Sequence, residues 1–143
     1  MRARLIAAGT RLPQWIDAGV AEYARRFGRG LRFELVEVPL ARESERMRAT
    51  LRDGEYVVAL DVAGKAMATV ELAEWLAARL GAGRDLAFLI GGPDGLDPKL
   101  AAGADFRWSL SPLTWPHGLV RVMVAEQLYR AHSLLLGHPY HRA

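Results

Sequence analysis

The chain reads as an α/β protein, a doubly wound, mostly parallel sheet in a single domain over residues 1–143. Three observations carry that expectation. Apolar segments of strand length alternate along the whole chain with segments of helical periodicity. One of them, Leu86-Ala87-Phe88-Leu89-Ile90, is apolar without interruption, as a parallel strand buried on both faces must be. It runs directly into Gly91-Gly92-Pro93-Asp94-Gly95-Leu96, the kind of turn through which a central parallel strand delivers its C-terminal end to a ligand loop.

Taken in order, residues 2–8 form a first strand, and Gly9-Thr10-Arg11-Leu12-Pro13 a turn. Trp15, Ile16, Val20, Tyr23, Ala24 and Phe27 follow helical spacing over residues 14–27, with Gly28 and Gly30 as stops. Residues 31–38 alternate as a strand and Pro39 ends it. Residues 40–53 are rich in arginine and glutamate, which predicts a solvent-facing helix packing only Leu40, Met47 and Leu51, or a partly ordered loop. Residues 56–60 form a third strand that runs on into Asp61-Val62-Ala63-Gly64-Lys65. Thr69 is placed to cap a helix over residues 70–80, ended by Gly81 and Gly83. After the glycine-rich turn come a short helix and a short strand, Phe106-Arg107-Trp108-Ser109-Leu110. A proline-bracketed loop, Ser111-Pro112-Leu113-Thr114-Trp115-Pro116-His117, then opens the last helix, residues 116–136.

That last helix is apolar around most of its circumference, so it should be buried on more than one side. One side belongs to the sheet, and a partner subunit is expected on another, with Val124 on the outward face. Glu126 and Arg130 are spaced for a helical ion pair.

Composition excludes several classes. There is no cysteine, so disulfides and thiolate metal sites are out. His117, His132, His138 and His141 show no zinc-type spacing, and no metal is expected. The apolar run at the start is too short for a signal peptide, and no run reaches the roughly 18 residues of a membrane span. A soluble cytoplasmic protein without membrane contact is the expectation. The net charge is +3, and lysine occurs only at Lys65 and Lys99. Arginine-rich positive charge suits contact with nucleic-acid phosphate, and equally suits a genome biased towards arginine codons.

The glycine-rich turn lacks the GK[ST] ending of a phosphate loop, and Pro93 removes a backbone donor. It is compatible with an uncharged ligand group lying against bare backbone at Gly91. The loop at 111–116 combines apolar side chains with free backbone N–H groups, a combination that could hold an adenine. Asp61, at the end of the third strand, reads as a ribose contact, a base or a plain turn carboxylate. No GxSxG elbow supports a hydrolase. The ending His138-Pro139-Tyr140-His141-Arg142 offers stacking surfaces, a titratable group and a phosphate contact, or is simply a frayed end.

Leu89-Ile90-Gly91-Gly92-Pro93-Asp94-Gly95-Leu96 resembles the glycine-rich loop of the SPOUT-class RNA methyltransferases. Five further segments are similar to the RlmH subfamily of that class: Gly9-Thr10-Arg11-Leu12-Pro13-Gln14-Trp15, residues 110–117, Leu119-Val120-Arg121, Glu126-Gln127-Leu128-Tyr129-Arg130-Ala131, and the ending at 138–142. The likeness covers essentially the whole chain, which looks short around residues 40–53. The resemblance implies a C-terminal trefoil knot and a homodimer. It implies S-adenosylmethionine as methyl donor and methylation at N3 of pseudouridine 1915 of 23S rRNA, within the ribosome. By matching position it implies donor contacts from Leu60, Gly91, Leu110, Ser111, Pro112, Leu113, Thr114 and Trp115. The chemistry of the ending, beyond the last packed helix, assigns His138, Tyr140, His141 and Arg142 to the substrate, with Tyr140 or His141 as candidate catalytic base, or hydroxide in their place. The reading from another class is a non-enzymatic, ribosome-associated RNA-binding module.

Overall fold

The computed structural model describes residues 1–141, of His141 the backbone only. Five strands and five helices alternate: β1 (Arg2–Ala8), α1 (Gln14–Ala24), β2 (Arg32–Val38), α2 (Glu43–Thr50), β3 (Tyr56–Ala66), α3 (Thr69–Ala82), β4 (Leu86–Ile90), α4 (Pro98–Ala102), β5 (Phe106–Ser109) and α5 (His117–Leu135). A short 3-10 helix, Pro139–His141, follows. The strands form one sheet in the order β2-β1-β4-β3-β5, and every strand pairing is parallel. The doubly wound parallel sheet is thus as expected.

Alternation along β1 separates two apolar layers. Ala3, Leu5 and Ala7 point into a cluster built with α1, α3 and α5, whereas Ile6 and Ala8 point into a second cluster built with Met47 of α2 and Leu100 of α4. β4, between β1 and β3, is buried at all five positions, which is why its sequence is continuously apolar. α5 packs against both α1 and α3 on the first face. Gly118 and Gly19 let α1 and α5 approach closely: a Cβ on Gly118 would come within 2.6 Å of Ile16, and one on Gly19 within 3.1 Å of Val122.

This packing corrects the expected outward face. Val124 is fully buried, together with Ala125, Leu128 and Ala131. The chain's own α1 and α3 cover much of the apolar circumference that suggested a partner. Leu119 and Met123, one turn apart, belong to neither buried cluster and stay half-exposed. Other differences are local. α1 ends at Ala24, short of the glycines. The N-cap of α3 is Ala68, whose N–H donates to Glu71, and the helix runs through Gly81 to end at Gly83, with φ +74°. α2 is a formed helix with Met47 fully buried, and it ties the 40–53 segment to the second cluster.

Two ion pairs brace the sheet, one buried on both sides and one joining a buried arginine to a partly exposed glutamate. Arg4 of β1 grips Glu55 through two hydrogen bonds of 2.8 and 2.6 Å and donates a third, of 2.8 Å, to the Thr50 carbonyl at the end of α2. Burial pushes the Glu55 carboxyl up, but Arg4 and the Arg52 N–H outweigh it and hold it below the usual carboxylate range. At the opposite end of β1, Arg121 of α5 is wholly buried. It donates to Glu37 at 2.5 Å, to the Ala8 carbonyl at 3.1 Å and to the Gly9 carbonyl at 2.8 Å.

Two predictions follow from these pairs. Arg121→Met leaves the Ala8 and Gly9 carbonyls without their donor while Glu37 keeps contact with water, so urea titration should show a loss of about 1–3 kcal/mol; a loss under about 0.5 kcal/mol would refute the clamp. Glu55, with a depressed pKa in the fold, contributes stability above the unfolded carboxylate value of about 4.3 and loses it as pH falls through the lower folded value. Glu55→Gln should therefore flatten the acid limb of the stability–pH curve, and an unchanged limb would contradict this origin.

Candidate functional site

Strands that run parallel bring their C-terminal ends to one edge, where ligand crevices form. Here the ends of β3, β4 and β5 meet the start of α5 around a cavity of about 480 Å³. That volume lies within the roughly 300–1,000 Å³ typical of small-molecule sites. Its wall shows how each loop is made.

After β4, Gly92-Pro93-Asp94-Gly95 forms a tight turn in which the Gly95 N–H donates to the Gly92 carbonyl at 2.9 Å, with proline second in the turn and glycine last. The turn folds back onto Gly91. A Cβ there would stand 2.4 Å from the backbone of Gly95 and Leu96, so Gly91 is required by the loop itself. The space beside Gly91 is therefore filled by the turn's own backbone. Leu40 and Glu43, at the start of α2, press on Gly92 from outside.

β3 runs beyond Leu60 and pairs with β5 again at Lys65 and Ala66, so that Leu60 and Lys65 both stand opposite Trp108. The intervening 61–64 segment bulges out. Asp61 closes it by accepting the Ala63 N–H at 2.9 Å, and Gly64 lies so close to Arg107 that a Cβ would come within 2.6 Å of its backbone. After β5, the Ser109 hydroxyl donates to the Ser111 carbonyl, and the Ser111 hydroxyl accepts the Leu113 N–H at 2.9 Å. These bonds shape the loop before α5.

Leu60, Gly91, Leu110, Ser111, Leu113, Thr114 and Trp115 all line this cavity, whereas Pro112 does not. Asp61, Val62, Leu96, His117 and Val120 also line it. Of these, the sequence offers Asp61 as a possible ligand contact and places His117 at the end of the ligand loop without a role of its own; its place at the first residue of the last helix was the available signal. The indole N–H of Trp115 is buried with no partner among the described residues. Apolar walls, bare glycine backbone and an unsatisfied donor suit a ligand with a flat heteroaromatic group. Among the described residues, no group of three or more His, Asp or Glu side chains could hold a metal, and no helix is long and apolar enough to cross a membrane.

The ending lies elsewhere. Gly137, with φ +75°, closes α5 in a Schellman turn: its N–H reaches the Leu134 carbonyl, and that of His138 the Ser133 carbonyl. The chain then turns back, and Tyr140 packs edge-on against Tyr129 at 4.7 Å and beside Tyr23 at 6.5 Å. Arg130 lies over its ring at 5.1 Å and Arg26 at 5.9 Å. Glu126 holds Arg130 at 2.8 Å in the expected ion pair, and Glu22 holds Arg26 at the same distance. Burial, with Tyr23 adding to it, pushes the Tyr140 phenol far above its ordinary value. His132, stacked on Phe27, is pushed down by burial, with His138 contributing. Arg142 and the His141 side chain lie outside the described residues. The cavity borders His117 and Val120 while Tyr140 meets Tyr129, so the two regions sit towards opposite ends of a 19-residue helix, which is about 28 Å long.

The fold and a strand-end cavity beside the last helix define the class. The family described as "Predicted SPOUT methyltransferase" matches residues 1–141, and the chain belongs to that family. Among curated relatives, it is 57% identical to the ribosomal RNA large subunit methyltransferase H of Alkalilimnicola ehrlichii, with all of both chains covered. It is 51% identical to the protein of that name in Stenotrophomonas maltophilia, again over all of both chains, and 44% identical to that of Hahella chejuensis, over 99% of each. Among solved structures, a probable methylase family protein from Haemophilus influenzae matches with a TM-score of 0.61 at 16% identity, over 94% of this chain and 68% of that one. A putative methyltransferase from Legionella pneumophila, solved with its cofactor SAM bound, matches with a TM-score of 0.50 at 13% identity, over 92% of this chain and 66% of that one.

Because the turn occupies the space around Gly91, Gly91→Ala should cost about 1–3 kcal/mol in thermal or urea unfolding even without any ligand. A variant as stable as wild type would show that the turn does not fold back on this residue.

Proposed function

We propose that this protein transfers a methyl group from S-adenosylmethionine to N3 of a pseudouridine in large-subunit ribosomal RNA, in the cytoplasm and as a homodimer. The observation that carries the reading is the apolar cavity at the ends of β3, β4 and β5, in a chain whose curated relatives bear the name ribosomal RNA large subunit methyltransferase H. The trefoil knot belongs to the same proposal. It is supported by the family match together with the order β4-β3-β5 and the return of α5 to the opposite end of the sheet.

Leu60, Gly91, Leu110, Ser111, Leu113, Thr114 and Trp115 would hold the donor, with Pro112 shaping the loop from behind. Leu60, Leu110 and Leu113 flank the adenine, and the loop N–H groups and the Trp115 indole supply polar contacts. The bound donor supplies an electrophilic methyl group on a sulfonium. The chain's part is to position it and to exclude water. The ring nitrogen must give up its proton as it accepts the methyl. Tyr140 is a poor acceptor, since its phenol keeps its own proton across the neutral range. That leaves His141 as the residue proposed to take the proton, with His138, Tyr140 and Arg142 forming the rest of the substrate end.

Since Tyr140 and the cavity sit towards opposite ends of α5, the tail serves the cavity of a second copy. The half-exposed Leu119 and Met123 are the stripe on which that copy would pack.

Calorimetry should detect S-adenosylmethionine binding to the wild type, and Leu113→Asp, at a residue 63% exposed, should weaken it about tenfold or more without unfolding the chain. Deleting residues 138–143 should leave donor affinity unchanged but abolish methylation of ribosomes. Mixing that truncation with Leu113→Asp should restore part of the activity, because one copy then has an intact cavity and the other an intact tail. An active truncation would rule out a role for the tail. Failure to bind donor would favour the non-enzymatic RNA-binding module. Met123→Arg should give monomers in sedimentation, and a wild type already monomeric at micromolar concentration would remove the dimer.

A further inference from the structure

The positive charge is gathered at one corner. Where α1 ends and β2 begins, Arg25, Arg26, Arg29 and Arg32 are all exposed, and Arg2 joins them from the start of the neighbouring β1. Three carboxylates stand near them, one of them Glu34, two residues beyond Arg32 on the same strand. Glu22 is shared by Arg25 and Arg26, and Asp85 accepts the Arg2 backbone N–H at 2.9 Å. The side chains of Arg2, Arg29 and Arg32 carry no ion pair among the described residues. The Arg32 N–H closes the corner onto the Met1 carbonyl at 3.0 Å.

The corner is also concave. Met1, Arg2, Gly28, Gly30, Leu31 and Arg32 surround a hollow of about 380 Å³. Gly28 and Gly30 leave its wall bare, since a Cβ on either would meet nothing within 4 Å. A hollow with exposed guanidinium groups and no side chain filling it suits the oxygens of a phosphodiester backbone. Its neighbour is the ending of the chain: Arg26 lies over the rings of Tyr23, Tyr129 and Tyr140, so the corner and the tail form one continuous surface.

We infer that this α1–β2 corner is an RNA-backbone docking surface, on which phosphates flanking the target nucleotide lie while the adjoining tail engages the base. The inference rests on the rRNA reading above. It assigns affinity without sequence preference to Arg2, Arg25, Arg29 and Arg32, leaving Arg26 to hold the tail.

The test is the salt dependence of binding to purified large ribosomal subunits, measured for the full-length wild type and for an Arg25→Gln/Arg29→Gln/Arg32→Gln variant. Each lost phosphate contact removes roughly 0.7–0.9 from the slope of log affinity against log salt, so the triple variant should lose about 2–3. Its methylation should fall at limiting subunit concentration and recover at saturating subunit, with donor affinity and melting temperature unchanged. An Arg46→Gln/Arg52→Gln control, away from the corner, should keep the wild-type slope. An unchanged slope in the triple variant, or an equal fall in the control, overturns the corner while leaving the methyltransferase reading in place. Failure of that reading would show separately, as a wild type that binds no donor.

Discussion

The position of α5 depends on a single buried cation. Arg121 has no access to solvent, and its guanidinium is held by the Ala8 and Gly9 carbonyls and by Glu37, at the ends of β1 and β2. A charge removed from water is tolerable only where its hydrogen bonds are met. Here the two terminal nitrogens are held by strand ends in a fixed spatial relation, while Nε has no partner among the described residues, so the helix has little freedom to slide or rotate. Close contacts at Gly118 and Gly19 reinforce the same alignment against α1. What precedes Arg121 in sequence, the loop carrying Leu113 and Trp115, is thereby fixed over the ends of β3, β4 and β5. The cavity is therefore a consequence of where this arginine is anchored.

Much of this was legible in the sequence, where the signal was local. The uninterrupted apolar run of β4 reported a strand buried on both faces, and the Gly-Pro-Asp-Gly turn reported its sharp exit. The alternation of strand and helix reported the winding. The failures share a cause, which is contact between residues distant in sequence. β3 is eleven residues long because its second half finds β5 again beyond the bulge, and nothing within residues 56–66 announces that partner. Val124 looked like an outward residue because periodicity cannot say that α1 and α3 both pack on α5. The ending could be read as a frayed terminus because two of the residues that grip Tyr140, Tyr23 and Arg26, lie more than a hundred positions earlier. Pro112 stands apart from its neighbours in the 110–115 run in not bordering the cavity, since a motif marks a loop and not the position of each side chain in it.

The two ends of α5 are chemically unlike. One meets an apolar cavity with bare backbone and an unpaired indole N–H. The other carries tyrosine rings interleaved with arginines, each arginine steadied by a glutamate one turn away. Paired in this way, Arg26 and Arg130 keep their stems and planes ordered for stacking on the rings, at a modest cost in net charge. A domain this small has room for only one such separation along its length, and the longest helix provides it.

The bulge in β3 bears on how the cavity can vary among related chains. Leu60 and Lys65 stand opposite the same residue, so the 61–64 segment is looped out without disturbing the pairing on either side. Side chains in a strand alternate between faces, and a shift of one residue exchanges them. Length changes confined to the looped segment leave that alternation untouched, whereas a change within the paired stretches inverts it. The rim formed by Asp61 and Val62 can therefore lengthen or contract in evolution while the sheet beneath keeps its register, which separates the shape of the pocket from the stability of the fold.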